Sequence, residues 1–486
     1  MASPTIHLVN PKSNCFTTKP QYFGKALYAP LAGLLAISAI TPEDEWEMFL
    51  TDENIEPIDF SRHCDLVAIS AMTEYVNRGY EIADQYCAQG VKVVMGGVHP
   101  SFLPHEALEH ADAVVVGEAE PVWDQVLADF KDGRMGGVYR ARGLFDMRGM
   151  RYPRYDLVKT NRYIVRDFVQ TVRGCPHGCA FCAEPQLNGR MYRFRPIPEV
   201  IEEIQRLNSR NLAVNDVDAF SKPSRALDMM KAMAPLKIKW QGGTSSRVAE
   251  KEWLLEAARE SGCYMLSLGF ESISMDSLRE AKKAFNQPER YKALVEKIHS
   301  YGMMVFGLFM FGFDSDDESI FEETARFAID ADLDCAAFSI LTPYPGTLTY
   351  YDLQRQGRIT SYDWSMYDQD SVLYAPKGMT AESIRDGWRY AYKEFYSWRS
   401  IARRFPRSGQ RNRLMWLVMN AFFRHERTKP DFIGSVISDD TRPPANITDF
   451  SENYALVDES FFLEEGTADE VSAETFQFDE AGTRTR

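Results

Sequence analysis

The stretch RGCPHGCAFC, residues 173–182, places three cysteines within eight positions of a chain that has only eight cysteines in 486 residues. Cys175, Cys179 and Cys182 come directly after the β-rich run DFVQTVRG (167–174), so the cluster stands on a loop at the end of a predicted strand. Thiolate sulfur suits soft metals and iron–sulfur clusters. The spacing therefore predicts a metal-binding loop.

Two other interpretations of this loop stay open. A structural zinc ion would need a fourth ligand, and the candidates are His177 inside the loop and Cys263, far away in sequence. A disulfide cluster needs an oxidising compartment, whereas the start MASPTIHLVN lacks the features of a signal peptide. We expect a cytoplasmic protein with reduced thiols.

The third interpretation is a four-iron cluster. Three thiolates leave one of its irons without a protein ligand, and a catalytic metal centre needs such an open position.

The overall charge excludes one class of partner. A formal net charge of −15 argues against nucleic acid, because sequence-independent phosphate binding needs a surface rich in Lys and Arg. Part of the acidity is local, since residues 451–486 contain ten Asp or Glu against two Arg. Hydrophobic residues make up 45% of the chain, which predicts a soluble globular protein with a large core.

The first part of the chain has the pattern of an open parallel sheet with helices on both faces. Short runs rich in β-branched residues alternate with helical stretches, and ligands in such folds bind at the carboxyl ends of the strands. The runs are TIHLVN (5–10), DLVAISAM (65–72), VKVVMGG (91–97) and DAVVVGE (112–118). Residues 120–165 predict a helix followed by a connector.

A second series of βα units follows, with six strand candidates in a row, which suggests a barrel or partial barrel. The candidates are DFVQTVRG, NLAVNDVDAF, LKIKWQGG, YMLSLGFES, MMVFGLFMFGF and CAAFSILTPYPG. We therefore predict an α/β protein with a helical C-terminal extension. The predicted domains are an open-sheet domain (1–145), a linker (146–165), a partial barrel (166–375), a helical region (376–430) and an acidic, loosely ordered tail (431–486).

The cysteine motif and the strand pattern resemble the radical SAM superfamily. The resemblance implies a [4Fe-4S] cluster held by Cys175, Cys179 and Cys182, with S-adenosylmethionine (SAM) bound to the remaining iron and cleaved to a 5′-deoxyadenosyl radical. It implies a (β/α)6 partial TIM barrel, and places Phe181 near the adenine. Asp216, Asp218 and Glu271, at the ends of predicted strands, are the acidic residues that it assigns to SAM binding. Arg247 is open to two interpretations, a carboxylate-binding cation and a solvated surface residue.

The N-terminal part resembles the Rossmann-like cobalamin-binding domain that precedes the barrel in one subfamily. The stretches that carry the resemblance are SAMTE (70–74), VVMGGVHPSFLPHEAL (93–108) and ADAVVVGEAEPVWDQVL (111–127). It implies a cobalamin site at Ser70, Thr73, Gly96, Gly97, Gly117 and Glu118. The glycines have an alternative role in tight turns and helix packing, and His99 one as a loop histidine with satisfied hydrogen bonds. The motif D-x-H-x-x-G, which supplies a histidine to cobalt in many cobalamin domains, does not occur.

These resemblances imply a cobalamin-dependent radical SAM methyltransferase that methylates an unactivated carbon. The alternatives are an oxidative cyclase or other radical oxidoreductase of the same architecture, and a non-catalytic cobalamin or iron–sulfur sensor. The expected partners are a small-molecule substrate, such as a lipid or a natural-product intermediate, and an electron donor such as flavodoxin or ferredoxin. The stretch LMWLVMNAFF (414–423) is open to two interpretations, a core helix and a surface that contacts a membrane.

Overall fold

The structure is a computed structural model and describes residues 3–13, 26–28, 32–406, 412–429 and 434–436. The predicted acidic tail therefore lies almost wholly outside the described residues, as does most of the stretch NPKSNCFTTK (10–19), where a cobalt-binding histidine would be sought. None of the helices in the described ranges combines the length and the apolar character that a bilayer span requires.

The strands and helices alternate along most of the chain. The strands are β1 (Thr5–Asn10), β2 (Ala26–Tyr28), β3 (Glu47–Asp52), β4 (Leu66–Ser70), β5 (Lys92–Gly96), β6 (Ala113–Val116), β7 (Gly137–Arg140), β8 (Tyr163–Val165), β9 (Phe168–Val169), β10 (Val172–Arg173), β11 (Arg193–Phe194), β12 (Asn211–Val214), β13 (Lys239–Thr244), β14 (Cys263–Glu271), β15 (Met304–Phe311) and β16 (Cys335–Ile340). The α-helices are α1 (Ala32–Ile40), α2 (Val76–Ala88), α3 (Val98–Phe102), α4 (Pro104–Ala107), α5 (Trp123–Lys131), α6 (Glu184–Asn188), α7 (Ile197–Leu207), α8 (Pro223–Met233), α9 (Glu252–Glu260), α10 (Met275–Glu280), α11 (Pro288–Ser300), α12 (Ser319–Asp330), α13 (Leu348–Arg355), α14 (Ala381–Phe395), α15 (Trp398–Arg404) and α16 (Arg413–Arg427).

The first sheet has six parallel strands in the order β3-β1-β4-β5-β6-β7. Alternate side chains of β1 and β4, such as Leu8 and Ala68, pack on one face against α1 and α5. Helix α2 packs against β4 and β5 outside that cluster, which places it on the other face. The carboxyl ends of β4, β5 and β6 border a cleft at one edge of this sheet. The predicted open sheet is confirmed.

The second sheet also has six parallel strands, in the order β16-β15-β14-β13-β12-β9, and its outer face is covered by helices. Strand β15 shows the alternation clearly, because Val305, Phe309 and Phe311 are buried against the helices. Phe306 and Met310 point to the inner face of the curved sheet and are only partly buried. This is the predicted partial barrel.

Two strands of the first sheet carry no clear strand pattern in the sequence and were not predicted. β3 has the sequence EMFLTD, which contains one β-branched residue, and its pairing partner β1 lies about 40 residues earlier. β7 has the sequence GVYR and lies within the stretch predicted as a helix and connector. Both are edge strands, so each needs only one neighbour and little β-propensity of its own.

The C-terminal helix α16 closes the amino-terminal end of the barrel. Its Trp416 is fully buried and packs against Met265 and Met304, at the starts of β14 and β15, and against Ile401 of α15. The opposite face of α16 is exposed, with Leu414 73% accessible. Helix α16 therefore covers the amino-terminal end of the barrel with one buried face and exposes its other face to solvent.

Trp416→Ala should lower the free energy of unfolding by about 3–5 kcal/mol, because it leaves a large cavity between α16 and the sheet. The matched control on the same helix is Leu414→Ala, which should change the free energy of unfolding by less than about 0.5 kcal/mol. Urea denaturation followed by far-ultraviolet circular dichroism measures the free energy of unfolding of both variants. Equal losses for the two variants would contradict the packing described for α16.

Candidate functional site

The cysteine loop leaves β10 through a tight turn that only glycine can make. Gly174 has φ of 79°, and a Cβ there would lie 2.3 Å from the carbonyl oxygen of Met191. The Cys175 amide donates to the carbonyl oxygen of Gly189 at 3.0 Å, and the Cys182 amide donates to that of Cys179 at 3.1 Å. These backbone hydrogen bonds fix the loop without using the sulfur atoms, and the Tyr192 side chain is hydrogen-bonded to that of Cys175.

The three thiols share one electrostatic environment. Burial raises the pKa of Cys175 and of Cys182 to about 12, and that of Cys179 to about 11. Neighbouring thiols add to the increase, which indicates that the sulfur atoms converge on one region. Buried thiols become thiolates only when positive charge is brought to them, as an iron–sulfur cluster does. The loop fits such a cluster.

The other residues proposed around the cluster are placed as follows. Phe181 packs against the barrel core. The ring of His177 stacks on Phe285 with centroids 4.7 Å apart, and burial lowers the pKa of His177 to about 4. Cys263 is buried at the amino end of β14, whereas the cysteine loop lies near the carboxyl ends of the strands. The structure therefore does not bring Cys263 to the loop.

The two aspartates after β12 make different contacts. The Asp216 carboxylate accepts hydrogen bonds from the Thr171 amide at 2.7 Å, the Thr171 hydroxyl at 2.6 Å and the Val172 amide at 3.1 Å. It thereby fastens the segment that leads into the cysteine loop. Asp218 accepts from the Thr244 hydroxyl at 2.9 Å and raises the pKa of the Cys175 thiol, so it faces the cluster region. That either aspartate binds SAM stays a prediction.

Glu271, at the end of β14, is held by Lys283, a lysine that no sequence motif indicates. Lys283 donates to the Glu271 carboxylate at 2.6 Å, and both side chains are largely buried. Burial would lower the pKa of Lys283, but Glu271 and the thiols of Cys179 and Cys182 outweigh burial and raise it. Lys283 is therefore a fixed positive charge beside the cysteine loop.

The backbone around this ion pair is unusual. Glu271 has φ of 61°, a left-handed conformation that is costly for a residue with a side chain, and it follows an irregularity in the pairing of β14 with β15. A Cβ on Gly269 would lie 2.5 Å from the Glu271 carboxylate and 2.8 Å from the Lys283 ammonium nitrogen. The glycine thus makes room for the pair.

Arg247 also lies near His177 and lines a separate small cavity together with Phe285.

A cleft joins the carboxyl edge of the first sheet to the barrel. Five of the six residues predicted for cobalamin line it, and Thr73 lies buried beside it. On the first-sheet side the lining includes Ser70, Met72, Gly96, Gly97, Gly117 and Glu118, and on the barrel side Gln170, Arg173, Glu184, Asn188 and Asn215. The cleft therefore reaches within two residues of Cys175.

Glycines let the backbone border this cleft directly. Gly97 has φ of 100°, and a Cβ there would lie 2.6 Å from the carbonyl oxygen of Ala71. The Ser101 hydroxyl donates to the Gly97 carbonyl at 2.6 Å and accepts from the Gly117 amide at 2.9 Å, which ties the ends of β5 and β6 together. Smooth backbone walls of this kind fit a large planar cofactor such as a corrin.

A buried network of charges connects the cleft to the cysteine loop. The Arg173 guanidinium contacts Glu118 at 2.8 Å and Glu120 at 2.7 Å, and Arg193 contacts Glu118 at 3.0 Å. These side chains are at most 12% exposed. Burial would lower the pKa of Arg173, and the carboxylates of Glu120 and Glu118 outweigh burial and raise it. Glu118, proposed for cobalamin, thus also links the end of the first sheet to the two-stranded sheet of β10 and β11, from which the cysteine loop begins.

A second buried contact between the two parts involves His99. Its Nε2 lies 3.0 Å from the Glu106 carboxylate and its Nδ1 lies 3.3 Å from the Thr73 hydroxyl. Both ring nitrogens therefore have hydrogen-bond partners within the protein, as expected for a structural loop histidine. Trp364, from the segment after the barrel, donates to Glu106 at 3.0 Å. With both ring nitrogens engaged, His99 is not free to bind cobalt.

Comparisons with known proteins agree with this architecture. The model of the B12 binding domain matches residues 26–127, and the model of the radical SAM superfamily matches residues 169–328. The bacteriochlorophyllide d C-12(1)-methyltransferase of Chlorobaculum tepidum is 31% identical over 432 residues, which cover 86% of this chain and 93% of that protein.

Two further proteins resemble the chain over most of its length. The bacteriochlorophyllide d C-8(2)-methyltransferase of the same organism is 28% identical over 408 residues, which cover 78% of this chain and 87% of that protein. Among solved structures, the radical SAM methyltransferase TsrM of Kitasatospora setae, with tryptophan and a SAM analogue bound, aligns with a TM-score of 0.65 at 14% identity. It covers 95% of this chain and all of that one, which shows a common fold.

Glu118→Gln should lower the free energy of unfolding by about 3–5 kcal/mol, because it removes one partner of a buried ion network and leaves Arg193 without a carboxylate. Asp146→Asn is the matched control, since its pair with Arg148 is exposed and should contribute less than about 1 kcal/mol. Chemical denaturation measures both changes. A Glu118 variant as stable as the Asp146 variant would show that the network does not hold the first sheet and the β10–β11 pair together.

Gly97→Ala should abolish retention of cobalamin, because the new methyl group collides with the backbone at Ala71 and shifts the cleft wall. Gly133→Ala is the control: Gly133 has φ of 69° but no neighbouring atom within 4 Å, so it carries only the conformational cost. The measurement is the visible absorbance of cobalamin that remains with the protein after gel filtration. Full retention by Gly97→Ala would place the cofactor elsewhere.

Proposed function

Because the chain belongs to the radical SAM enzymes that carry an N-terminal cobalamin-binding domain, we propose that it transfers a methyl group to an unactivated carbon of an apolar small molecule. The observation that carries this proposal is the cleft, which places the carboxyl edge of the first sheet and the cysteine loop on one shared space. Methyl transfer to carbon needs a methyl donor and a radical generator to reach the same substrate atom.

The cofactors are a [4Fe-4S] cluster, SAM and cobalamin. When bound, the cluster supplies the electron that cleaves SAM, and cobalamin supplies the methyl group. In this proposal Cys175, Cys179 and Cys182 hold the cluster. Glu271 accepts hydrogen bonds from SAM while Lys283 holds the carboxylate in place, and the glycine-bordered cleft binds the corrin. A flavodoxin or ferredoxin is the proposed electron donor.

The chain's own residues position the two cofactor-binding regions relative to each other and exclude water from the space between them. The Arg173 network fixes the distance between the cleft and the cysteine loop, because its buried charges are stable only when all partners are in contact. Asp216 anchors the strand that enters the loop. A reactive radical requires such a rigid, dry surrounding so that it meets only the intended hydrogen atom.

An apolar substrate is supported by the inner face of the barrel. On β15 the partly buried side chains that face inward include Leu308 and Met310, whereas Phe306, near the amino end of the strand, contacts Phe423 of α16. On the neighbouring β14 the inward residue Ser267 has a small side chain. The bacteriochlorophyllide methyltransferases named above act on a large ring system, and we infer a bulky apolar ring compound for this chain as well.

The alternative radical oxidation uses the same cofactors and is not favoured, because the two bacteriochlorophyllide methyltransferases match at 31% and 28% identity, whereas two anaerobic magnesium-protoporphyrin IX monomethyl ester cyclases match at 26% and 22%. A sensor without catalysis would not need an inner barrel face with room for a substrate. The three functions differ in their products, which makes them separable in one assay.

The experiment is anaerobic reconstitution with iron, sulfide, cobalamin, SAM, a reductant and a ring substrate such as bacteriochlorophyllide d, with tryptophan as a substrate of different shape. Methyl transfer yields 5′-deoxyadenosine together with S-adenosylhomocysteine and a product that has gained one CH2. Cys179→Ala should lose the cluster and all deoxyadenosine, because three thiolates are needed to hold four irons. Cys263→Ala, distant from the loop, should retain both.

The outcomes separate the candidates. Deoxyadenosine with a product that changes only in oxygen or hydrogen content would establish the oxidative alternative. A protein that binds cluster and cobalamin but never forms deoxyadenosine with any substrate or reductant would establish a sensor. Loss of iron in Cys263→Ala but not in Cys179→Ala would overturn the assignment of the cluster ligands.

A further inference from the structure

The exposed face of α16 carries a continuous apolar stripe. Leu414, Leu417 and Val418 are 73%, 43% and 61% exposed, and Ala421 continues the stripe one turn further along. Isolated exposed apolar residues are ordinary, but a row on one helix face indicates a surface that contacts another apolar phase. We call these four residues the α16 stripe.

An exposed tryptophan extends the stripe at its C-terminal end. Trp398, at the start of α15, is 63% exposed. The Arg424 guanidinium lies 4.6 Å from its ring centre, and Arg424 follows Ala421 on the same face of α16. An amphipathic helix with a flanking tryptophan and arginine is typical of segments that lie in the headgroup region of a bilayer.

A basic cavity opens at the other end of the stripe. It has a volume of about 1170 Å³ and lies at the amino ends of β12 to β15, where Asn412 and Met415 of the α16 region form part of its wall. Four cations line it, and no Asp or Glu occurs among the described residues of its lining. The cations are Arg166, Arg210, Lys239 and Arg259.

Most of these cations lack a partner. Arg166 contacts the neighbouring Asp167 at 3.1 Å. Arg210, Lys239 and Arg259 are exposed and form no ion pair with any residue that the structure describes. This local excess of positive charge stands against a chain whose net charge is −15. A partner that binds these cations must therefore carry negative charge on its surface. Because the α16 stripe adjoins the cations, the same partner must also have an apolar layer directly below its charged surface.

We propose that α16 and the basic cavity dock the protein on a bilayer that contains anionic phospholipid. The α16 stripe and Trp398 enter the boundary between headgroups and acyl chains, and the lipid phosphates meet Arg210, Lys239 and Arg259. The cavity lies at the opposite end of the strands from the cysteine loop, so docking leaves the catalytic cleft uncovered. The proposal is independent of the methyl-transfer proposal.

The test is sedimentation of the full chain with vesicles of phosphatidylcholine alone and of phosphatidylcholine mixed with phosphatidylglycerol. The protein should bind the mixed vesicles, and added salt should weaken the binding. The cavity variant Arg210→Gln, Lys239→Gln, Arg259→Gln should bind them about a hundredfold more weakly, and Arg210→Gln alone about fivefold. The stripe variant Leu414→Ser, Leu417→Ser, Val418→Ser should lose at least about tenfold.

Matched variants control for charge and hydrophobicity. Lys231→Gln, Lys237→Gln, Lys292→Gln removes the same charge at exposed positions outside the cavity, and Trp253→Ser removes an exposed ring from α9. Both should bind as the unchanged protein does. Circular dichroism and deoxyadenosine formation in solution should be the same for every variant, because all the altered side chains are exposed.

Three results would overturn the proposal. The first is absence of binding to the mixed vesicles by the unchanged protein. The second is an equal loss of binding in the lysine control, which would indicate attraction through overall charge alone. The third is a lipid-free dimer in analytical ultracentrifugation that the stripe variant converts to a monomer, which would make the stripe an interface between two copies of the chain.

Discussion

The contact of Arg173 with Glu118 and Glu120 is the interaction on which the rest of the site depends. Three charged groups are removed from water where the first sheet meets the β10–β11 pair, and the free energy lost by their desolvation is regained only when they touch. Such a network tolerates few positions of the β10–β11 pair relative to the first sheet. It therefore selects one orientation of the cleft against the barrel, where an apolar interface would permit sliding.

The residues of this ion pair stand directly beside the cysteine loop and the cleft wall. Arg173 is the last residue of β10, and Gly174 turns the chain directly into the first cysteine. On the other side, Glu118 follows the glycine that ends β6 in the cleft wall. One ion pair thus joins the segment that enters the cysteine loop to the segment that follows β6 in the cleft wall.

The sequence predicted the local features of this arrangement but not the pairing. Runs of β-branched residues located the strands, and the cysteine spacing located the loop, because both signals lie within a few positions. Glu118 was predicted only as a cobalamin-site residue and not as an ion-pair partner, since Arg173 and Arg193 lie 55 and 75 residues later. Lys283 carried no local signal either, because its role arises from the fold of β14 and the turn after α10.

The same physical reasoning distinguishes the two ends of the barrel. At the carboxyl ends of the strands the charges are buried and paired, as in Lys283 with Glu271, so they are fixed in position before any ligand arrives. At the amino ends Arg210 and Lys239 are exposed, and water satisfies them at little cost in free energy. Fixed charges suit a radical reaction that depends on distance, whereas solvated charges suit a surface that must bind and release. The proposed catalytic site and the proposed membrane surface thus lie at opposite ends of the barrel strands.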